Sequence, residues 1–84
     1  MIREINQKID SGKNSFWNEE VIICELDKKG KGFIRFSLCN KDGKDFVSIR
    51  EFIIKGDDEI PTKKGMTIAR EYLEEFIKSL EKIW

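Results

Sequence analysis

Residues 33–54 read FIRFSLCNKDGKDFVSIREFII, which is two alternating apolar runs on either side of an Asp-Gly pair. Alternation with a period of two is typical of β-strands. The pair Asp42-Gly43 tolerates the positive φ angles of a tight turn, so the two runs are predicted to form an antiparallel hairpin. In the first run the alternation separates an apolar face, carrying Ile34 and Phe36, from a mixed face carrying Arg35.

The neighbouring segments extend this hairpin into a sheet. Residues 21–26 form a β-branched run that ends in a glycine-containing turn, which predicts a strand before the hairpin. Residues 60–68 contain the only proline, so they predict an irregular approach and then a brief edge strand. From Ala69 the apolar period changes to 3.6, which predicts an amphipathic helix. The fold class is therefore α+β, a four-stranded antiparallel sheet followed by one C-terminal helix, in the order ββββα.

The first 18 residues are the least regular part of the chain. Ile2, Ile5 and Ile9 stand at helical spacing, but residues 10–15 have the composition of a turn or linker. Residues 1–18 are therefore interpreted as a loosely attached arm or a short helix, and residues 19–84 as the single ββββα domain.

The predicted helix carries a wide apolar stripe. One helix covers one side of the sheet, and this stripe is wider than that contact requires. A second copy of the helix is a suitable neighbour, so a homodimer is expected. The predicted interface residues are Leu73, Phe76, Ile77, Leu80 and Trp84.

Composition excludes several classes of function. The chain has no histidine and two cysteines, so a Cys/His zinc site cannot form, and neither a metal nor another cofactor is predicted. The sequence contains no nucleophile motif, Walker A motif or dinucleotide fingerprint, so an enzyme is not expected. It also contains no apolar run of the roughly 18 residues that span a bilayer, and no signal-peptide core. The expected location is the cytoplasm, without a membrane partner.

The formal net charge is zero, but basic residues are concentrated in the predicted strands. Residues 28–55 hold eight Lys and Arg against three Asp and Glu, interleaved with phenylalanines. Basic grooves follow a phosphate backbone and aromatic rings stack on bases, so this pattern favours a single-stranded nucleic acid on the sheet. A solvated charged face is the alternative interpretation. The balanced Glu and Lys residues of the helix argue against a helix that reads duplex DNA.

A motif in the second half of the chain resembles the positive cofactor four family. Residues 48–52, SIREF, and residues 60–68, IPTKKGMTI, are followed by the amphipathic helix, as in the C-terminal domain of that family. The family comprises transcriptional coactivators and single-stranded-DNA-binding proteins, and the resemblance is to its bacterial or phage type. It implies a curved sheet, dimerisation through the C-terminal helices, and a joint surface for two antiparallel single strands or a melted duplex.

The resemblance also implies site residues. By position, Arg50 matches the DNA-contacting arginine of the third strand, and Lys63 and Lys64 match the basic pair before the glycine. Lys41 and Lys44 lie in the hairpin where the family makes further phosphate contacts.

One aromatic platform of the family is missing. Ile53 stands where the family often has a stacking tryptophan, so this platform is absent unless Phe52, Phe33 or Trp17 substitutes from nearby. The candidate nucleic-acid-binding residues are therefore Arg35, Lys41, Lys44, Arg50, Phe52, Lys63, Lys64 and Phe33.

The leading hypothesis for function is sequence-tolerant binding of single-stranded DNA by a homodimeric sheet surface, in transcription, replication or repair. RNA, or a melted duplex, is an alternative ligand of the same chemistry. A protein-interaction module that docks on polymerase or another transcription protein, with weak DNA contact, is the alternative from another class. If the chain is phage-encoded, its place is the host cytoplasm.

Overall fold

In the part of the chain that the structure describes, five antiparallel strands in chain order form one open sheet, and a C-terminal helix follows them. The computed structural model describes residues 2–9, 17–30 and 32–84. The α+β class is confirmed. The elements are β1 (Ile2–Ile9), β2 (Glu19–Lys28), β3 (Gly32–Lys41), β4 (Lys44–Lys55), β5 (Asp58–Ala69), a 3-10 turn (Arg70–Tyr72) and α1 (Leu73–Glu81).

The central hairpin is confirmed in register and turn. Lys41 pairs with Lys44, which leaves a two-residue loop between β3 and β4. Asp42 and Gly43 have φ angles of 52° and 82°, the left-handed geometry that their residue types tolerate. At the other end of β3, Gly32 has φ of 151°, and a Cβ there would overlap the carbonyl oxygen of Phe52. Glycine at this position therefore permits close pairing of β3 with β4.

The prediction of four strands was wrong, because residues 2–9 form β1 on the free edge of β2. The isoleucine spacing favoured a helix, but an unpaired strand edge offers backbone partners that override so weak a local pattern. Arg3 fastens β1 to β2 through Glu25 at 3.1 Å and Asp27 at 2.9 Å. Asn6, with φ of 50°, lies where the register shifts. The linker predicted at residues 10–15 lies outside the described residues.

The last strand is longer than the predicted brief edge strand. It runs over 12 residues and contains a bulge, in which Glu51 alone lies between the pairs Arg50–Gly65 and Phe52–Pro61. The Thr62 hydroxyl donates to the carbonyl of Glu51 at 3.1 Å and accepts from the Lys64 amide at 3.1 Å. The bulge therefore keeps its backbone groups bonded while it displaces residues 62–64 from the ladder.

The two faces of the sheet differ in burial. We call the face that carries Arg35, Ser37 and Ser48 the cleft face, and the opposite one, with Ile34 and Phe36, the apolar face. The most buried side chains belong to the cleft face, including the Phe33 ring at 1% exposure. Side chains of the apolar face are half-buried or, like Ile53 and Met66, exposed.

The helix does not cover the sheet as expected. α1 has no buried residue, and its main contact is with the 3-10 turn before it. Ala69, the residue before that turn, supplies no capping side chain, as its type predicts. Of the predicted interface residues, Leu73 and Phe76 are half-buried, whereas Ile77, Leu80 and Trp84 are exposed. The apolar stripe of the helix and the apolar face of the sheet thus remain open in the single chain.

Candidate nucleic-acid interface

The strand register sorts the cleft face into four rows that run across the sheet. Each row takes one residue from each of β2 to β5. From one end to the other the rows are Asp27–Phe33–Phe52–Pro61, Glu25–Arg35–Arg50–Gly65, Ile22–Ser37–Ser48–Thr67 and Glu20–Cys39–Phe46–Ala69.

The row of small hydroxyl residues forms the floor of a cleft. Larger side chains stand on both sides of it, with Arg50 and Phe52 on one side and Phe46 on the other. Trp17, just before β2, adds a second ring beside Phe46, with centroids 5.5 Å apart at an angle of 42°. The cleft has a volume of about 720 Å³, within the range of about 300–1,000 Å³ that is common for ligand sites.

Arg35 is held by carboxylates instead of being free for a phosphate. Its Nε donates to Glu25 at 2.7 Å, and another nitrogen of the same guanidinium donates to Glu59 at 3.0 Å. Glu25 is 4% exposed and also accepts from Arg3. The guanidinium carbon lies 4.4 Å from the centroid of the Phe52 ring, a cation–π contact. Arg35 therefore belongs to an ion-paired group at one side of the cleft. We call this group the cleft wall; it consists of Arg3, Glu25, Asp27, Arg35 and Glu59.

The two phenylalanines predicted as stacking platforms pack on each other. The rings of Phe33 and Phe52 are 5.2 Å apart and nearly parallel, at 7°. Phe33 is 1% exposed, so its ring offers no free surface to a base. Phe52 is half-buried and lines the cleft. The structure thus places Phe52 at the site and Phe33 beneath it.

Arg50 also lines the cleft, but its guanidinium is bound differently from that of Arg35. Its guanidinium donates to the carbonyl oxygen of Thr62 at 2.9 Å, a neutral acceptor. Among the described residues it makes no ion pair, and neither do Lys44, Lys63 or Lys64.

The predicted lysines lie around the cleft rather than in it. Lys41 and Lys44 flank the β3–β4 turn, where Lys41 is half-buried and Lys44 exposed. Lys63 and Lys64 are exposed on the bulge of β5. Lys64 lines a smaller hollow of about 290 Å³ on the apolar face, beside Met66. The roles of these lysines in binding stay predictions.

Phe46 and the hydroxyl floor were missing from the predicted site. The sequence did indicate them, because every second residue of a strand lies on the same face. Residues 46, 48 and 52 therefore share the face of Arg50. Trp17 was named only as a possible replacement platform, since no periodicity constrains a residue that precedes its strand. The contribution of Glu20 to the cleft depends on the register of β2 across two strands.

The cysteines are free thiols, and Cys39 lies buried in the last row. Burial, and secondarily the carboxylate of Glu20, raises the pKa of Cys39 to about 12. Its thiol therefore remains protonated near neutral pH. Within residues 2–9, 17–30 and 32–84, no group of three or more His, Cys, Asp or Glu residues is arranged to hold a metal ion. No helix in this part of the chain has the length and apolarity needed to cross a membrane.

Comparisons with known proteins agree with the motif. Residues 26–79, more than half of the chain, match the family described as Transcriptional Coactivator p15 (PC4). The RNA polymerase II transcriptional coactivator KELP of Arabidopsis thaliana is 36% identical over 64 residues, which are 76% of this chain and 36% of that protein. The coactivator KIWI of the same plant is 31% identical over 52 residues, 62% of this chain and 45% of that protein. The chain thus spans less than half the length of either relative, and no solved structure matches. The chain belongs to the transcriptional coactivator p15 (PC4) family.

Proposed function

We propose that this protein binds single-stranded DNA on the cleft face, with little dependence on sequence, and acts as a cofactor in transcription or in replication and repair. The observation that carries the proposal is the cleft itself, which Arg50 and the ring of Phe52 line on one side of the hydroxyl floor and the ring of Phe46 lines on the other. A cation can follow the phosphates while aromatic rings stack on bases, each stack contributing about 1–3 kcal/mol. The family membership supports the same function.

A single strand suits this surface better than a duplex. The cleft is a trough on a sheet, and a strand with unstacked bases can lay them on its rings. A duplex-reading protein instead inserts a helix or a β-ribbon into the major groove. The polar side of α1 carries Glu74, Glu75 and Lys78, which gives it no excess of positive charge.

The proposal is tested by titrating a labelled single-stranded dT oligomer of about 20 nucleotides and a matched duplex at two salt concentrations. Tight, salt-sensitive binding of the single strand, with weaker duplex binding, is expected. R50Q is expected to weaken binding and to flatten the slope of log K against log salt by about 0.7, one phosphate contact. The control K82A removes an exposed lysine at the far end of α1 and should leave the slope unchanged. No binding of either DNA, or equal slopes for R50Q and K82A, would overturn the proposal.

We further propose that the binding unit is a homodimer joined mainly through α1. The helix exposes its apolar stripe, with Ile77 at 48% and Leu80 at 49%, while the apolar face of the sheet also lies open. A second copy would remove both surfaces from water at once. Light scattering in solution should give twice the chain mass of 9.9 kDa, and a mass of one chain would refute the dimer.

The second candidate is a protein-interaction module that docks on polymerase or another transcription protein. The exposed apolar stripe favours it, since such patches mark protein contacts. Both plant relatives are RNA polymerase II transcriptional coactivators by name. An intact dimer that binds neither DNA would favour this candidate over the first.

A further inference from the structure

One end of the cleft is built by residues that precede the family match. Trp17 and Glu20 lie before residue 26, where the match begins, while Phe46 and Ser48 lie within it. This end therefore adds to the family's sheet a tryptophan and a carboxylate that the match does not include.

The carboxylate of Glu20 is the unusual group in a cleft proposed to bind a polyanion. Its row places it on the cleft face beside Cys39, and its charge contributes to the raised pKa of that thiol. Among the described residues, no hydrogen bond or ion pair engages the Glu20 side chain. A phosphate would be repelled by this carboxylate, so its partner in the cleft must be a hydrogen-bond donor.

Nucleobases differ in whether they present such a donor. Cytosine carries an exocyclic amino group, and glutamate accepts a hydrogen bond from it, whereas thymine presents a carbonyl oxygen at the same position. A carboxylate that faces the thymine oxygen would place two acceptors together without a proton between them. The rings of Trp17 and Phe46 line the same cleft as Glu20 and supply an apolar surface on which a base can stack.

We propose that Trp17, Phe46 and Glu20 form a base-reading pocket that accepts one base with an exocyclic amino group, such as cytosine, and disfavours thymine. The inference depends on the proposed binding of single-stranded DNA and adds a local preference to it. Most of the strand is held by phosphate and stacking contacts that ignore sequence. One base in the cleft is selected by its amino group.

The test compares labelled dC and dT oligomers of about 20 nucleotides at pH 8, where cytosine is uncharged. The wild-type protein is expected to bind dC at least about five-fold more tightly than dT. E20Q offers an amide, which can donate as well as accept, and should abolish that preference. The control E19Q changes the preceding glutamate, which is exposed and pairs with Lys8 at 3.6 Å, and should keep the preference.

Tryptophan emission gives an independent readout. Binding of dC should quench the emission of the wild-type protein, and W17L should lose that quenching. Binding of both oligomers with equal affinity and without W17L-sensitive quenching would overturn the pocket and leave the proposed function intact. Binding of neither oligomer would overturn both.

Discussion

Glu25 is the residue whose replacement tests the construction of the cleft wall most directly. Its carboxylate is 4% exposed and accepts from Arg35 at 2.7 Å and from Arg3 at 3.1 Å. We expect E25Q to lower the free energy of unfolding. Glutamine keeps the size of the side chain but has one acceptor oxygen instead of two and carries no charge, so at least one arginine loses its acceptor.

The magnitude follows from the burial of each partner. Hydrogen bonds to charged groups contribute about 1.5–3 kcal/mol, against about 0.5–1.5 kcal/mol for neutral ones. Arg35 is 15% exposed in its side chain and should account for most of the loss, whereas Arg3 is 50% exposed and its pair is screened by solvent. Arg35 also keeps Glu59 and its ring contacts. The expected loss is therefore about 2 kcal/mol.

The assay is urea and thermal unfolding followed by circular dichroism at fixed protein concentration, because a dimer's stability depends on concentration. For a domain of this size the loss corresponds to a fall in Tm of about 8–16 °C. The control D27N removes an exposed carboxylate whose ion pair with the half-exposed Arg3, at 2.9 Å, is screened by solvent, and it should cost below about 1 kcal/mol. If E25Q costs no more than D27N, the buried carboxylate does not organise the wall and the reasoning fails.

Three other predictions concern the turn, the buried thiol and the helix. G32A should lower stability by more than about 2 kcal/mol, because its Cβ meets a carbonyl, whereas G30A, in open space, should cost about 1–2 kcal/mol for its left-handed φ; urea unfolding of both compares them. The free energy of unfolding of the wild-type protein should fall by about 1.4 kcal/mol per pH unit above pH 9, because the Cys39 thiol has a pKa near 9.0 in the unfolded chain and about 12 in the folded one. C39A should lack this fall. Equal pH profiles for C39A and the wild type would contradict the prediction. L80D should give monomer or unfolded chain by light scattering, while K78D on the opposite side of α1 should stay dimeric; an intact L80D dimer would refute the helix interface.

Local chemistry made the central hairpin predictable from sequence. Its turn needs two residues that accept positive φ, and Asp42-Gly43 supplies them at the centre of two alternating runs. Strand β1 was not predictable in the same way. Its pairing partner lies about 20 residues away, and its isoleucines have a spacing that suits a helix as well as a strand. The sequence also did not predict that the helix leaves its own sheet uncovered. Amphipathicity shows that the apolar stripe of a helix needs a partner, but not which surface provides it.

The site was likewise predictable in part: the face of each strand residue followed from the sequence, but its partners on other strands did not. Alternation predicts that Arg35 and Arg50 lie on one face, and both were predicted to bind nucleic acid. The register separates their roles, because it brings Glu25 beside Arg35 but only the carbonyl of Thr62 to Arg50. Which charges neutralise each other across strands depends on the strand register, and the amino-acid composition does not specify that register.

The same separation gives a physical basis for the proposed binding of a polyanion by a chain of zero net charge. In the cleft wall the carboxylates of Glu25, Asp27 and Glu59 pair with Arg3 and Arg35, so these five charges together leave a net charge of −1. Arg50 at the edge of the cleft, Lys44 on the neighbouring turn and the two lysines of the bulge, Lys63 and Lys64, make no ion pair with any described residue, so their charges add to the local potential. A ligand's association follows that local potential rather than the sum over the chain. Affinity for a strand should therefore follow the uncommitted cations, and adding or removing charge within the paired wall should change stability before it changes binding.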